Sequence, residues 1–533
     1  MQKSKILPAI FLAVSCIATF LQAATLKLAP FYSDNMVFQR EKPIIVLGLA
    51  DAKAVVEGSF MGGTAKATAD EKGLFKLILP AKDACPQGCT ATFKSGDATI
   101  ELKNVLVGDV WLCSGQSNME MTLGGCTPYA PDDIRNATFP LIRRIKFNHE
   151  TAVDPVPYMD MKVSGPWAEA KPEIVPQWTA VGFYFARNIH KNTQIPIGIL
   201  DCNWGGTKIE PWTPADAFDN YLVLSNDVKT VQNRLDLLKK NTDIEKAFQA
   251  KLVAATPDER KKMRKPGMPW GSGSPTAIYN SLVDGMTPMA IKGALWYQGC
   301  SNAGDPLYDT HMEALVSGWR KKWGYEFPFY FVQLANFQDA SDDPANVGWG
   351  KVRQLQLNAF HAIPTCGMAV IIDIGEAKDI HPKNKFDVGE RLARWAMHDL
   401  YDKKNTIVSG PIYKSMRIKG NKAVLSFYTP RQEGCPLTRF SFSTDRACDL
   451  MVGKKEGIAP TAEVKDGKLE GFAVQDKDGK WSWAHAVIKG KTVVVTHSEG
   501  KTPVNVRYAY QSNPKANLYN KEGLPASPFT TEK

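Results

Sequence analysis

The chain contains no long block of like charge, no low-complexity tract and, past Ala24, no apolar stretch long enough to cross a bilayer. It has no basic run with interleaved aromatics, which argues against nucleic acid as a partner. H-E-x-x-H, a zinc-spaced Cys/His set, a phosphate-binding glycine loop and a dinucleotide fingerprint are all missing. Histidine is scarce, with eight in the chain, and seven of these have no chemically suggestive neighbours in sequence. Metal hydrolysis, nucleotide binding and hydride transfer therefore lose their usual sequence signs.

What is present reads as ordinary globular protein, 44% hydrophobic and 23% charged. At 533 residues the chain is too long for one core, so roughly two to four domains are expected. The formal net charge is +10, including Lys3 and Lys5 of the leader. That field suits an anionic substrate and equally a solvated basic surface. Residues 1–24 read as a signal peptide: Lys3 and Lys5, an apolar run from Ile6 to Leu21, then small residues at Ala23-Ala24. Export to the periplasm or exterior follows, and with it an environment that permits disulfides. Ser15-Cys16 is a poor match to a lipoprotein site. Ten cysteines less Cys16 leave an odd number, so at least one is unpaired. Cys85 and Cys89 could close a small loop, whereas Cys113, Cys202 and Cys300 read as buried thiols beside motif residues.

From 25 to 103, short strands punctuated by glycine and proline predict an N-terminal β-sandwich. From 104 to 400, strands alternate with helices, as in Trp178–Ile189 followed by Ile195–Leu200. This predicts an α/β catalytic domain on a parallel sheet, interrupted by a helical insertion at about 213–274. Residues 401–533 return to strands and predict a second β-rich domain.

Chemistry concentrates where strands end. The apolar run ending at Ser114-Gly115 delivers Ser117 to a strand exit, where acyl-transfer enzymes hold a nucleophile. Met119 stands where a G-x-S-x-G elbow would have its second glycine, so this is a different turn. Further strands empty into Gly205-Gly206, into Gly299-Cys300-Ser301-Asn302, and into Asp379-Ile380-His381-Pro382. Ligands of open α/β sheets bind outside the carboxyl ends of the strands. His381 can take a proton from Ser117, with Asp379 orienting the ring. The N–H of Ser117, that of Gly205 or Gly206, and the Asn302 amide are candidate oxyanion donors, each worth about 3–4 kcal/mol of barrier in comparable enzymes.

The order Ser, Gly, Asn, Asp/His resembles the SGNH (GDSL-like) hydrolase superfamily. A closer likeness is to the sialate O-acetylesterase family. It rests on Ser114-Gly115-Gln116-Ser117-Asn118-Met119, Trp204-Gly205-Gly206-Thr207, Trp296-Tyr297-Gln298-Gly299 with Asn302, and Asp379-Ile380-His381-Pro382. Val506-Arg507-Tyr508-Ala509-Tyr510 and Asn517-Leu518-Tyr519-Asn520 with Gly523-Leu524-Pro525 extend it. The resemblance implies a three-layer α/β/α SGNH domain flanked by β domains. It implies a serine esterase that removes O-acetyl groups from sialic acid without metal or organic cofactor. Ser117 would be nucleophile, His381 base, and Gly205 or Gly206 and Asn302 oxyanion donors. Gln116, Gln298 and Trp204 are candidate substrate contacts, and Trp212 and Trp270 could also stack on a sugar. Two departures stand out. Cys300 replaces the family's usual glutamate. Lys378 occupies the position three before the histidine where many SGNH enzymes have Asp. Asp379, Glu376 or Asp373 is left to orient His381, unless a Ser–His dyad suffices. Two rival readings remain: an acetylxylan or other glycan acetylesterase, and a non-catalytic glycan-binding protein on the same scaffold. Oligomeric state is not legible.

Overall fold

The computed structural model describes residues 24–430 and 448–532. The expected signal peptide, Ala24 apart, lies outside the described residues, as does Cys435.

The N-terminal strands follow period two. In Val55–Phe60, residues 56, 58 and 60 are buried while 55, 57 and 59 are exposed. Leu26–Leu28, Ile44–Ala50 and Leu74–Leu79 form one antiparallel sheet. Val55–Phe60, Gly63–Thr68 and Cys85–Ser95 form another that continues onto a long strand, β1 (Ala98–Gly115). This strand of 18 residues runs through the boundary expected at residue 104. Its first residues are half-exposed or exposed by turns, and from Val105 onward every residue is buried. One strand thus changes from an antiparallel ribbon into the centre of a parallel sheet, where both faces are covered.

That sheet has the order β2 (Phe139–Lys146), β3 (Ile197–Asn203), β1, β4 (Gly293–Tyr297), β5 (Phe329–Gln333), β6 (Cys366–Val370), all parallel. Ala168–Ala170 adds an antiparallel edge. Sequence patterning missed β2 because Arg143, Arg144 and Lys146 break its apolar run. Asp201 of β3 neutralises two of them, with Arg144 at 2.6 Å and Lys146 at 3.3 Å.

β1 leads into a short helix, α1 (Ser117–Glu120). The longer helices α2 (Ala180–Thr193), α3 (Tyr308–Trp323), α4 (Gly350–Ala362) and α5 (Lys385–Leu400) cover the sheet. Aromatic side chains join the layers. Trp111 packs on Phe185 of α2 with centroids 4.7 Å apart, and Tyr330 packs toward Trp395 of α5 at 6.5 Å. Trp296 meets Trp319 of α3 at 5.9 Å. The region expected as an insertion is helical, at Ala215–Phe218, Ser225–Gln232, Arg234–Ala254 and Pro257–Lys262. A capping box between Thr256 and Glu259 opens the last of these. Beyond α5 the chain forms a seven-stranded antiparallel sheet and a smaller three-stranded one.

Arg353 of α4 ties the C-terminal segment to the parallel sheet. It is fully buried and donates to the carbonyls of Leu334 (2.8 Å), Ala335 (2.6 Å), Gln511 (2.5 Å) and Ser512 (2.8 Å). Removing it takes a charged donor from all four buried carbonyls, of which that of Ser512 also accepts the Phe337 N–H at 3.0 Å. Arg353→Met should lower unfolding free energy by about 3 kcal/mol or more, read as a denaturant midpoint shift.

Candidate active site

The site starts from the exit of β1. Gly115 lies opposite Asn203 of β3 and Tyr297 of β4. Its φ is +132°, and a Cβ there would run into the Tyr297 carbonyl. The N–H of Gln116 donates to that carbonyl at 3.0 Å, and the N–H of Trp204 donates to the Gly115 carbonyl at 3.0 Å. The three strand exits are thus stitched together, and Ser117 starts α1 directly above them. As a first-turn residue, its N–H has no intrahelical acceptor.

The loop before α5 brings His381 to this point. Its Nε2 lies 2.8 Å from Ser117 Oγ. Asp379 Oδ1 accepts the His381 backbone N–H at 2.8 Å and lies 3.5 Å from the ring Nδ1. Of the three carboxylates left open by the sequence, Asp379 is the one that pairs with the ring. Asp373 is held in a two-pronged pair by Arg391, at 2.6 and 2.9 Å, and Glu376 accepts the Lys383 N–H at 2.7 Å. Lys383 also bonds Asp379 Oδ2, and this contact holds the Asp379 carboxyl below its ordinary range. Burial and the nearby Lys385 ammonium keep the His381 imidazole below its ordinary 6.5, against the opposing pull of Asp379.

The remaining expected residues divide. Gly205 reaches the serine, since a Cβ on it would sit 3.3 Å from Ser117 Cβ. Its N–H donates to Glu120 Oε2 at 2.6 Å, while Gly206 is exposed with φ +75°. The Asn302 amide is turned into the protein. Its nitrogen donates to Glu210 (3.0 Å) and Asp305 (3.4 Å), and its oxygen accepts from Ile209 N–H (3.0 Å) and Gln298 (2.7 Å). Gln298 is fully buried and also donates to the Thr207 carbonyl at 3.2 Å, so it braces the loops and cannot touch a substrate. Gln116 is buried too, accepting from the N–H groups of Gly299 (3.1 Å) and Ser301 (3.3 Å). Trp204 is half-buried and stacks on His149 at 4.6 Å with the planes 4° apart. Trp212 and Trp270, expected as sugar platforms, are both buried, and the Trp212 indole N–H is spent on Thr207 at 3.0 Å.

Comparison with known proteins bears on this geometry. Residues 107–237 and 265–398 match the family described as carbohydrate esterase, sialic acid-specific acetylesterase. The sialate O-acetylesterase of Rattus norvegicus is 27% identical over 440 residues, covering 74% of this chain and 77% of that protein. That of Pongo abelii is 25% identical over 548 residues, covering 94% and 92%. The crystal structure of a carbohydrate acetylesterase from Xanthomonas citri superposes with a TM-score of 0.76 at 30% identity, covering 96% of this chain and all of that one. The chain belongs to the sialic acid-specific acetylesterase family of carbohydrate esterases. It is an esterase.

Several side chains of this esterase escaped the sequence reading. His149 reaches Glu120 Oε1 at 2.9 Å, so it has a chemical neighbourhood after all. So does His311, between Asp305 (2.9 Å) and Asp227 (3.3 Å). Burial opposes its charge, yet the two carboxylates raise it to about 9. One atom each of Glu210, Asp305 and His311 lies within 4.8 Å of the others, and this cluster anchors Asn302. Only Glu120, one helical turn from Ser117, offered a spacing that could have flagged it. The described cysteines are all thiols. Cys85 and Cys89 are unbridged, Cys113 and Cys202 are buried as expected, and Cys300 is half-buried. Gly115→Ala should lower stability by about 3 kcal/mol and reduce esterase activity together, because the turn that sets Ser117 must shift. A thermal melt paired with an acetyl ester assay checks both.

Proposed function

We propose that this protein is an exported sialate O-acetylesterase with the three-layer fold of SGNH hydrolases, working through a serine nucleophile. The observation that carries the reading is the 2.8 Å contact between Ser117 Oγ and His381 Nε2 at the carboxyl edge of the parallel sheet. Ser117 Oγ attacks the acetyl carbonyl while His381 Nε2 takes its proton. The tetrahedral oxyanion is met by the Ser117 N–H and by the glycine amides at 205 and 206, Gly205 exchanging Glu120 for it. Asn302 acts from behind, holding the 209 segment in place. His381 returns the proton to the sugar oxygen, which leaves. Water, deprotonated by His381, then attacks the acetyl-enzyme and releases acetate. Asp379 steadies the ring and its positive charge. The half-buried Trp204 offers the sugar a face.

The names of the family and of the mammalian relatives support sialic acid as the acetyl carrier. A second reading, acetylxylan or another acetylated glycan, draws on the broader title of the Xanthomonas citri structure. Retention by non-catalytic glycan binding is the less favoured alternative, since a binding module needs no serine–histidine contact. An exported location rests on the leader pattern alone; among the described residues no helix is long and apolar enough to cross a membrane.

Ser117→Ala should reduce kcat/KM on a chromogenic acetyl ester by about 10⁴-fold or more. Near wild-type turnover would rule out the mechanism. Acetate release from O-acetylated sialic acid should exceed that from acetylxylan; the reverse order would select the second reading. The pH profile follows from His381. The base works neutral, and its titration lies below 6.5. Activity should therefore hold at neutrality and fall about tenfold per unit only below that midpoint.

A further inference from the structure

Lys385 is a fully buried lysine at the first position of α5. Its Nζ donates to Asn118 Oδ1 at 2.5 Å. Asn118, also buried, turns its amide the other way and donates to the carbonyl of Ile380 at 3.0 Å. Asn118 follows the serine, and Ile380 precedes the histidine. The Lys385 ammonium lies 5.1 Å from the centroid of the Tyr297 ring. Its ionisable neighbours are the Cys126 and Cys300 thiols, the Lys383 ammonium and Glu376. No carboxylate forms an ion pair with it among the described residues, and Cys300, 4.0 Å from Asn118 Nδ2, is a thiol pushed up to about 11 by burial. A lysine amine this deep, with no counter-ion to hold its proton, is an expensive arrangement to keep for packing alone.

We propose that Lys385 is a positioning residue for the esterase reaction: its ammonium orients Asn118, and Asn118 clamps the Ile380 carbonyl so that the His381 ring meets Ser117. The inference rests on the reading of Ser117 and His381 as nucleophile and base. The clamp has a second effect. Lys385 titrates near 7, because burial disfavours its charge. As pH falls through that range its ammonium forms beside the imidazole and opposes protonation of the ring. The charges facing His381 are Asp379, which favours the imidazolium, and Lys383 and Lys385, which oppose it. Lys385 keeps the base neutral to lower pH than Asp379 alone would allow.

The test follows the His381 imidazole by NMR titration and measures kcat, KM and their pH profile on an acetyl ester. Lys385→Met removes the charge at similar volume. It should raise the His381 midpoint by about half a pH unit, move the acid limb of the rate with it, and lower kcat about tenfold with KM little changed. Lys385→Arg keeps the charge and should leave the midpoint low. Asn118→Ala should lower kcat while Lys385 is still present. A folded Lys385→Met with unchanged midpoint and kcat overturns the proposal, as does an Asn118→Ala variant with full kcat. If Lys385→Met does not fold, Lys385→Arg and Asn118→Ala decide it: a raised midpoint in the first or full kcat in the second overturns it. Failure of the wild type to release acetate would defeat the esterase mechanism instead, and the NMR midpoint would still report on Lys385.

Discussion

The register of β1 against its two parallel neighbours governs the site. Gly115 lies level with Asn203 on one side and Tyr297 on the other. Because parallel strands in register end on the same edge, their polar exits share one rim. A one-residue slip would turn every side chain of β1 to the opposite face and take Trp111 from its partner on α2. Hydrogen bonding reinforces this register at the exit itself, through Gln116 to Tyr297 and Trp204 to Gly115. The serine is therefore placed by backbone, before any side chain of the site acts on it.

Around this rim the charges are sorted by depth. Asp201 settles Arg144 and Lys146 behind the glycine loop, and Arg391 takes Asp373 behind the histidine loop. Asp379, nearer the surface, is left to the imidazole and to Lys383. The deep pairs use up carboxylates and cations that would otherwise compete for His381. Glu120 is the exception on the rim. It bridges His149 and the Gly205 N–H, one helical turn from Ser117.

Much of the architecture was legible because parallel strands buried on both faces are long apolar runs, and their exits carry glycine and polar residues. The four motif blocks and the helical insertion could be placed on that basis. β2 was not legible, since its charges are neutralised by a strand more than fifty residues away in the chain. Trp212, Trp270 and Gln298 misled for a related reason: an aromatic or amide beside a motif reads as a ligand contact until its own burial is known. Asn302 sits in the right block, yet its amide is claimed by Glu210 and Asp305.

The sequence by itself determined the chemistry that is possible. It places Ser117 and the glycines just past strand ends and His381 in a loop that follows one, because such positions need particular residue types whatever surrounds them. The tertiary structure alone decided that Asp379 is the carboxylate beside His381, that the Asn302 amide is taken up inside the protein, and that Lys385 is sealed nearby. Those outcomes depend on competition among groups far apart in the chain, and hydrogen bonds and buried charges are settled by distance in space.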